Sequence, residues 1–192
     1  MTDDARVRIL DAAGRCIVRR GNTQIRMAEV ADDAGVVRST VYRYFPTRDE
    51  LLLALVLMRI DAALARLVRS LRRPDDPRRC LPQMVLVPVD SVDGDTLNEA
   101  LFASESTALS AALELGSERI VDLVIAHYDP LFAKWQDDGE MYPDLDRREV
   151  ARWVHTAALF LLSPPWRYRS HAAKRRFVDQ FVVRALVPQI GH

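Results

Sequence analysis

The sequence predicts an all-α protein with a small three-helix head at its N-terminus and a larger helical body behind it. Apolar residues recur at three- and four-residue intervals along most of the chain, which is the spacing of one helix face. Breaks containing Gly or Pro punctuate those runs. No hairpin or alternating strand pattern competes, apart from an ambiguous Met84–Val89 with Pro88 against it. There is no internal repeat and no low-complexity stretch.

From Thr2 to Arg20, residues Val7, Leu10, Ala13 and Ile17 mark a first amphipathic helix, and Gly21-Asn22 stops it. Gly14 inside it costs about 1 kcal/mol relative to Ala, so tertiary packing is expected to hold this segment. Two short helices follow within residues 26–45, separated by Gly35. Thr47-Arg48-Asp49-Glu50 has the form of a capping box and opens a fourth helix through Leu51, Leu55, Met58, Ala62 and Leu67 to Arg73. Pro74-Asp75-Asp76-Pro77 ends it, because proline lacks a donor and disfavours helix in the residue before it. Further helices are expected near 78–90, 95–114, 117–138, 146–162 and 171–188. Their breaks are Asp93-Gly94, Gly116-Ser117, Asp138-Gly139, Pro164-Pro165 and Pro188.

The 192 residues carry no formal net charge, yet the sign divides along the chain. Met1–Arg73 holds 14 Arg against 9 acidic residues, and Pro74–His192 holds 13 Lys and Arg against 18 acids. Such a division suits a polyanion partner for the first part only. Cys16 and Cys80 are too few and too far apart for a disulfide framework or a metal site and read as packing residues. His127, His155, His171 and His192 show no ligand spacing, so no metal or cofactor is expected. The start MTDDARVRIL lacks a signal-peptide layout, and apolar stretches such as Ala157–Leu162 fall far short of the ~20 residues of a bilayer span, so a cytoplasmic, membrane-free protein is expected. No G-x-S-x-G, phosphate loop or H-E-x-x-H points to an enzyme.

The informative segment is Met27–Phe45, MAEVADDAGVVRSTVYRYF. Val30, Ala31, Ala34, Val36, Val41 and Tyr44 are its apolar positions. Ala31 is small enough for two helices to cross closely, and Gly35 can take the positive φ of the turn, which fits a helix-turn-helix. Anchoring the second helix through Val41 and Tyr44 leaves Val37, Arg38, Ser39, Tyr42 and Arg43 outward, with Thr40 at the flank. That strip is polar, basic and narrow enough for a major groove. Arg38 matches the paired acceptors of a guanine edge, and Val37 and Ser39 suit a neighbouring base. Thr40, Tyr42, Arg43, Tyr44 and Arg48 are suited to phosphate.

Arg8–Gly21 followed by MAEVADDAGVVRSTVYRYFPTRDELLLALV resembles the DNA-binding head of the tetracycline-repressor (TetR) family, over about residues 6–57. Gly35-Val36, Thr40–Phe45 and Arg48–Leu51 carry the resemblance most specifically. It implies an all-helical homodimer of about nine helices per subunit, a C-terminal body with an inducer cavity, and a palindromic operator in double-stranded DNA. On that basis residues 1–46 form the DNA-binding domain, 47–73 a connecting helix, and 74–192 the ligand-binding and dimerisation domain. Two departures stand out. Arg26 and Val37 occupy positions where the family usually caps its second and third helices with Ser or Thr, and Arg48 stands where it usually has Lys.

The body carries no motif to match residue by residue. Its last two helices have wide apolar faces, and Trp153, Ala157, Phe160, Phe177 and Phe181 are the candidate dimer contacts. Phe102, Leu109, Tyr128, Phe132 and Trp135 are the candidate lining of a cavity for a small apolar or amphipathic inducer, with His127, His155, Asn98 and Glu105 as secondary polar contacts. The reading is thus a ligand-responsive regulator, a repressor released by its inducer, and its rival is a helical small-molecule binding protein that does not use an operator.

Overall fold

The computed structural model describes the backbone of residues 2–101 and 107–189, with side chains over 4–101 and 117–189. All regular structure among them is helical. The elements are α1 (Thr2–Arg20), α2 (Met27–Ala34), α3 (Arg38–Tyr44), α4 (Arg48–Ser70), α5 (Pro77–Asp90), α6 (Thr96–Leu101), α7 (Thr107–Asp137), α8 (Arg147–Leu162) and α9 (His171–Val178). A π-helical turn at Asp179–Val183 and a last turn at Arg184–Leu186 continue α9 without a break.

Two expectations are corrected and one ambiguity is resolved in favour of the expected helix. The stop at Gly116-Ser117 is not used, and α7 runs through both residues. One glycine lowers helix stability by only about 1 kcal/mol, which a long helix absorbs. Helix α4 ends at Ser70, short of Arg73. Met84–Val89, ambiguous in the sequence, lies wholly in α5 with Pro82 and Pro88 inside the helix. Burial of Cys80, Leu81, Met84, Val85 and Val89 outweighs the two missing amide donors.

The chain divides into two compact units. The first joins Met1–Arg59 to Ser91–Glu118. Its core is built from Ile9, Leu10, Ala13 and Ile17 of α1, Val30 and Ala31 of α2, Val41 of α3, and α4 residues 51–57, which are buried on every side. Ion pairs bind α1 to α2 around that core. Arg15 Nε donates to Asp33 Oδ1 at 2.7 Å, Arg19 Nη1 to Asp33 Oδ2 at 2.6 Å, and Arg20 Nε to Glu29 Oε2 at 3.0 Å. Arg19, with Arg15, holds the Asp33 carboxyl below the usual carboxylate range. Gly14 is explained here: a Cβ at this position would stand 3.2 Å from Leu97 Cδ2 of α6. The same helix is tied to α4 by Arg59, which donates to Asn98 Oδ1 at 2.9 Å and Asp95 Oδ2 at 2.8 Å.

The second unit joins Ile60–Asp90 to Arg119–His192. Helix α5 packs against α8 and against α9 with its π turn. On α7, Tyr128, Phe132 and Trp135 are fully buried and form an aromatic column with centroid spacings of 5.9 and 5.7 Å. Trp135 Nε1 donates to Pro74 O at 2.6 Å, which fastens the end of the column to the α4–α5 connection. Both cysteines are buried and unpaired, and burial pushes the Cys80 thiol up to about 11, as befits packing residues.

Gly35 stands at φ 64°, ψ 38° at the end of α2, and a Cβ there would meet no atom within 4 Å. Gly35→Ala should therefore cost only the backbone penalty of the left-handed region, about 1 kcal/mol in equilibrium denaturation, and Gly35→Asn less. A second test concerns Asp33. A carboxyl whose pKa is depressed by folding stabilises the fold above its unfolded value, near 3.9, and that contribution disappears as pH falls through the folded one. Thermal unfolding scanned downward from about pH 5 should show a shallower loss for Asp33→Asn than for the native chain.

Candidate nucleic-acid interface

Helix α3 has seven residues, too short to be stable by propensity, and Val41 is its one buried residue. Phe45, immediately after it, is buried as well and donates its N–H to Val41 O at 2.9 Å. These two residues fasten the helix from behind. Tyr44, expected as an anchor, is only half-buried, with its ring 6.4 Å from that of Phe45 and the Arg43 guanidinium 5.2 Å above it. The expected second anchor is thus replaced by its neighbour, since Phe45 already leaves the helix in extended backbone and can turn inward.

The opposite face is open. Val37 is 67% exposed and Tyr42 50%, and Arg38, Ser39 and Arg43 are exposed beside them, with Thr40 half-buried at the flank. Val37 is an extended N-cap and Arg26 caps α2, and neither side chain makes a cap hydrogen bond. Glu29 partly compensates by reaching back to the Arg26 N–H at 3.5 Å. At the start of α4 the expected cap is present, with Glu50 N–H donating to Thr47 Oγ1 at 3.1 Å.

Arg48 is placed differently from the arginines of α3. It is partly buried, Nη1 donates to Gln24 Oε1 at 2.7 Å, and Nε lies 3.6 Å from Asp49 Oδ1. Gln24 stands in no apolar period and no recognised motif, so sequence reasoning passed over it. Arg6, whose guanidinium lies 5.6 Å from the Phe45 ring centroid, was likewise passed over.

In the second unit the candidate lining is partly seen. Phe102, Leu109 and Glu105 lie outside the described residues or side chains. Tyr128, Phe132 and Trp135 converge in the buried column, and the Tyr128 hydroxyl is buried without a hydrogen-bond partner among the described residues. Two secondary polar candidates already have protein partners. His127 Nε2 is 2.7 Å from Asp61 Oδ1, and Asn98, in the first unit, is held by Arg59. His155 Nε2 is buried without a partner among the described residues, and burial lowers its pKa and favours the neutral ring. Of the candidate dimer contacts, Phe181, Phe160 and Trp153 are exposed, Phe177 is half-buried, and Ala157 is buried against its own chain. Phe160, Trp166, Phe177 and Phe181 touch in sequence at centroid distances of 4.9 to 5.5 Å.

With this geometry in place, comparison with known proteins is direct. The family model described as bacterial regulatory proteins, tetR family, matches residues 9–55. An uncharacterised HTH-type transcriptional regulator of Mycobacterium bovis is 32% identical over 59% of this chain and 58% of its own length, so the chain spans under two thirds of that relative. Another, from Mycobacterium tuberculosis, is 29% identical over 97% of this chain and 88% of its own. The structure of the transcriptional repressor QsdR from R. erythropolis superposes with a TM-score of 0.73 at 18% identity and covers 100% of both chains. The regulator FadR from Bacillus subtilis, solved with stearoyl-CoA, gives 0.58 at 18% identity over 93% of this chain and 97% of its own. Residues 9–55, which span most of α1, all of α2 and α3 and the start of α4, thus match the family model of bacterial regulatory proteins, tetR family, and the turn and anchors of the helix-turn-helix lie inside that match.

Proposed function

We propose that the chain is a homodimeric transcriptional regulator that binds a palindromic operator and releases it when a small apolar or amphipathic molecule enters the C-terminal body. The observation that carries this reading is the open face of α3: Val37, Arg38, Ser39, Tyr42 and Arg43 are exposed together while Val41 and Phe45 hold the helix from the other side. A helix so mounted can enter a major groove with its N-terminal residues at the base edges. Arg38 is the base-reading residue, assisted by Val37 and Ser39. Thr40, Tyr42, Arg43, Tyr44 and Arg48 hold the backbone. DNA binding is assigned to residues 1–46, connection to 47–73, and ligand binding with dimerisation to 74–192.

The ligand reading is supported by the Tyr128–Phe132–Trp135 column, since the Trp135 N–H is satisfied and the buried Tyr128 hydroxyl has no partner among the described residues and can meet a ligand acceptor. That FadR was solved with stearoyl-CoA accords with an amphipathic ligand. A ligand that prefers the non-binding conformation by about 1 to 3 kcal/mol weakens operator binding roughly 5- to 150-fold. QsdR is a transcriptional repressor, and repression is the direction adopted for this chain.

Selection of bound duplexes from a random pool tests the whole reading. It should return a palindrome with half-sites about one helical turn, roughly 34 to 36 Å, apart. Arg38→Ala should relax preference at one position per half-site, a loss of about 1 to 3 kcal/mol of discrimination. If no duplex is retained even at low salt, the chain is a helical ligand-binding protein without an operator. Dimerisation has its own test. Phe181 is 55% exposed on the single chain, so Phe181→Asp should leave helix content intact and convert a dimer to a monomer in sedimentation equilibrium. An unchanged mass would put the interface elsewhere.

A further inference from the structure

We propose that Gln24 contacts the DNA backbone, with its carboxamide aimed at a phosphate by Arg48. This inference rests on the DNA-binding reading and adds to it a residue on the loop between α1 and α2. Arg48 Nη1 donates to Gln24 Oε1 at 2.7 Å. A guanidinium has donors and no acceptor, so the amide oxygen must face Arg48 and the amide N–H₂ must face away from it. The orientation of this group is therefore fixed by chemistry, where that of most surface amides is not.

The loop holds the rest of the residue in place. Gln24 N–H donates to Asn22 Oδ1 at 2.9 Å, and its neighbours Thr23 and Ile25 are both buried. Their inward alternation leaves Gln24 exposed, with two amide hydrogens presented to solvent. The location is suited to a phosphate. Arg48 is the first residue of α4 and follows the last residue of α3, Tyr44, by four positions, so Gln24 is fastened to the corner where the exposed strip ends. Asp49 Oδ1 lies 3.6 Å from Arg48 Nε and offsets part of the arginine's charge at this corner. A neutral donor fixed beside it supplies a directional contact that the partly compensated cation does not.

The substitution that separates contact from simple bracing is Gln24→Glu. A carboxylate accepts from Arg48 at least as well as the amide does, so the brace survives, while the donors are lost and a negative charge faces the phosphate. Binding of the full chain to mixed-sequence duplexes, followed by fluorescence anisotropy at low salt, should weaken by roughly tenfold or more for every duplex, with the melting temperature unchanged or raised. Gln24→Ala should weaken it less and leave sequence preference intact. If Gln24→Glu binds as the native chain does, Gln24 is only a brace and the proposal is overturned, while the DNA-binding reading stands. If the native chain retains no duplex, both fall together.

Discussion

Val41 and Phe45 exert the constraint on which the arrangement of the head depends. A seven-residue helix makes few internal hydrogen bonds and has no side-chain cap, so what keeps α3 formed is the burial of Val41 on it and of Phe45 just beyond. Both point to the same side. Because positions two apart on a helix lie on opposite sides, fixing Val41 inward turns Ser39 and Arg43 outward, and Arg38, the first residue of the helix, is exposed with them. A polar residue at position 41 would remove the anchor and release the orientation of every side chain opposite it.

The anchor in turn needs α2 at the right angle, and two devices set that angle. Gly35 takes the left-handed conformation that lets the chain reverse within a few residues, and Val36 N–H donates to Ala31 O at 3.0 Å to close the turn. Asp33, the last residue but one of α2, receives both Arg15 and Arg19 from α1. These arginines account for part of the positive excess of the N-terminal half without being available to DNA. Arg38 and Arg43, exposed on α3 and outside these pairs, are the part of that excess that lies on the candidate face, so their local arrangement is more telling than the net count.

Much of this could be read from the sequence because the head is governed by local rules. The helix starts and stops at Gly21, Gly35 and Thr47, the alternation of buried and exposed residues in α3, and the missing caps at Arg26 and Val37 all depend on residues within a turn of one another. Reading failed where a distant contact decided. Gly14 had been a simple weakness in α1 until Leu97, far along the chain, occupied the space a Cβ would need. Arg48 also holds Gln24, a contact across 24 positions that no local pattern announces. The supposed break at Gly116-Ser117 was overridden because helix continuity in α7 is a property of the whole segment, of which a glycine is only one term.

The body shows how the same residue type serves two ends. Its aromatic residues form two groups that a hydropathy pattern cannot separate. Tyr128, Phe132 and Trp135 are withdrawn from solvent and pack against one another, with the Tyr128 hydroxyl unpartnered among the described residues. Phe160, Trp166, Phe177 and Phe181 stack with one another while Phe160 and Phe181 stay open to solvent. Mutual contact orders those rings before anything covers them, which lowers the entropy lost when a surface docks there. An ordered, exposed aromatic surface costs free energy in water, and a second copy presenting the same rings about a twofold axis would remove that cost with no further sequence requirement. The buried column, by contrast, exposes no such surface, and among the described residues its Tyr128 hydroxyl is without a hydrogen-bond partner.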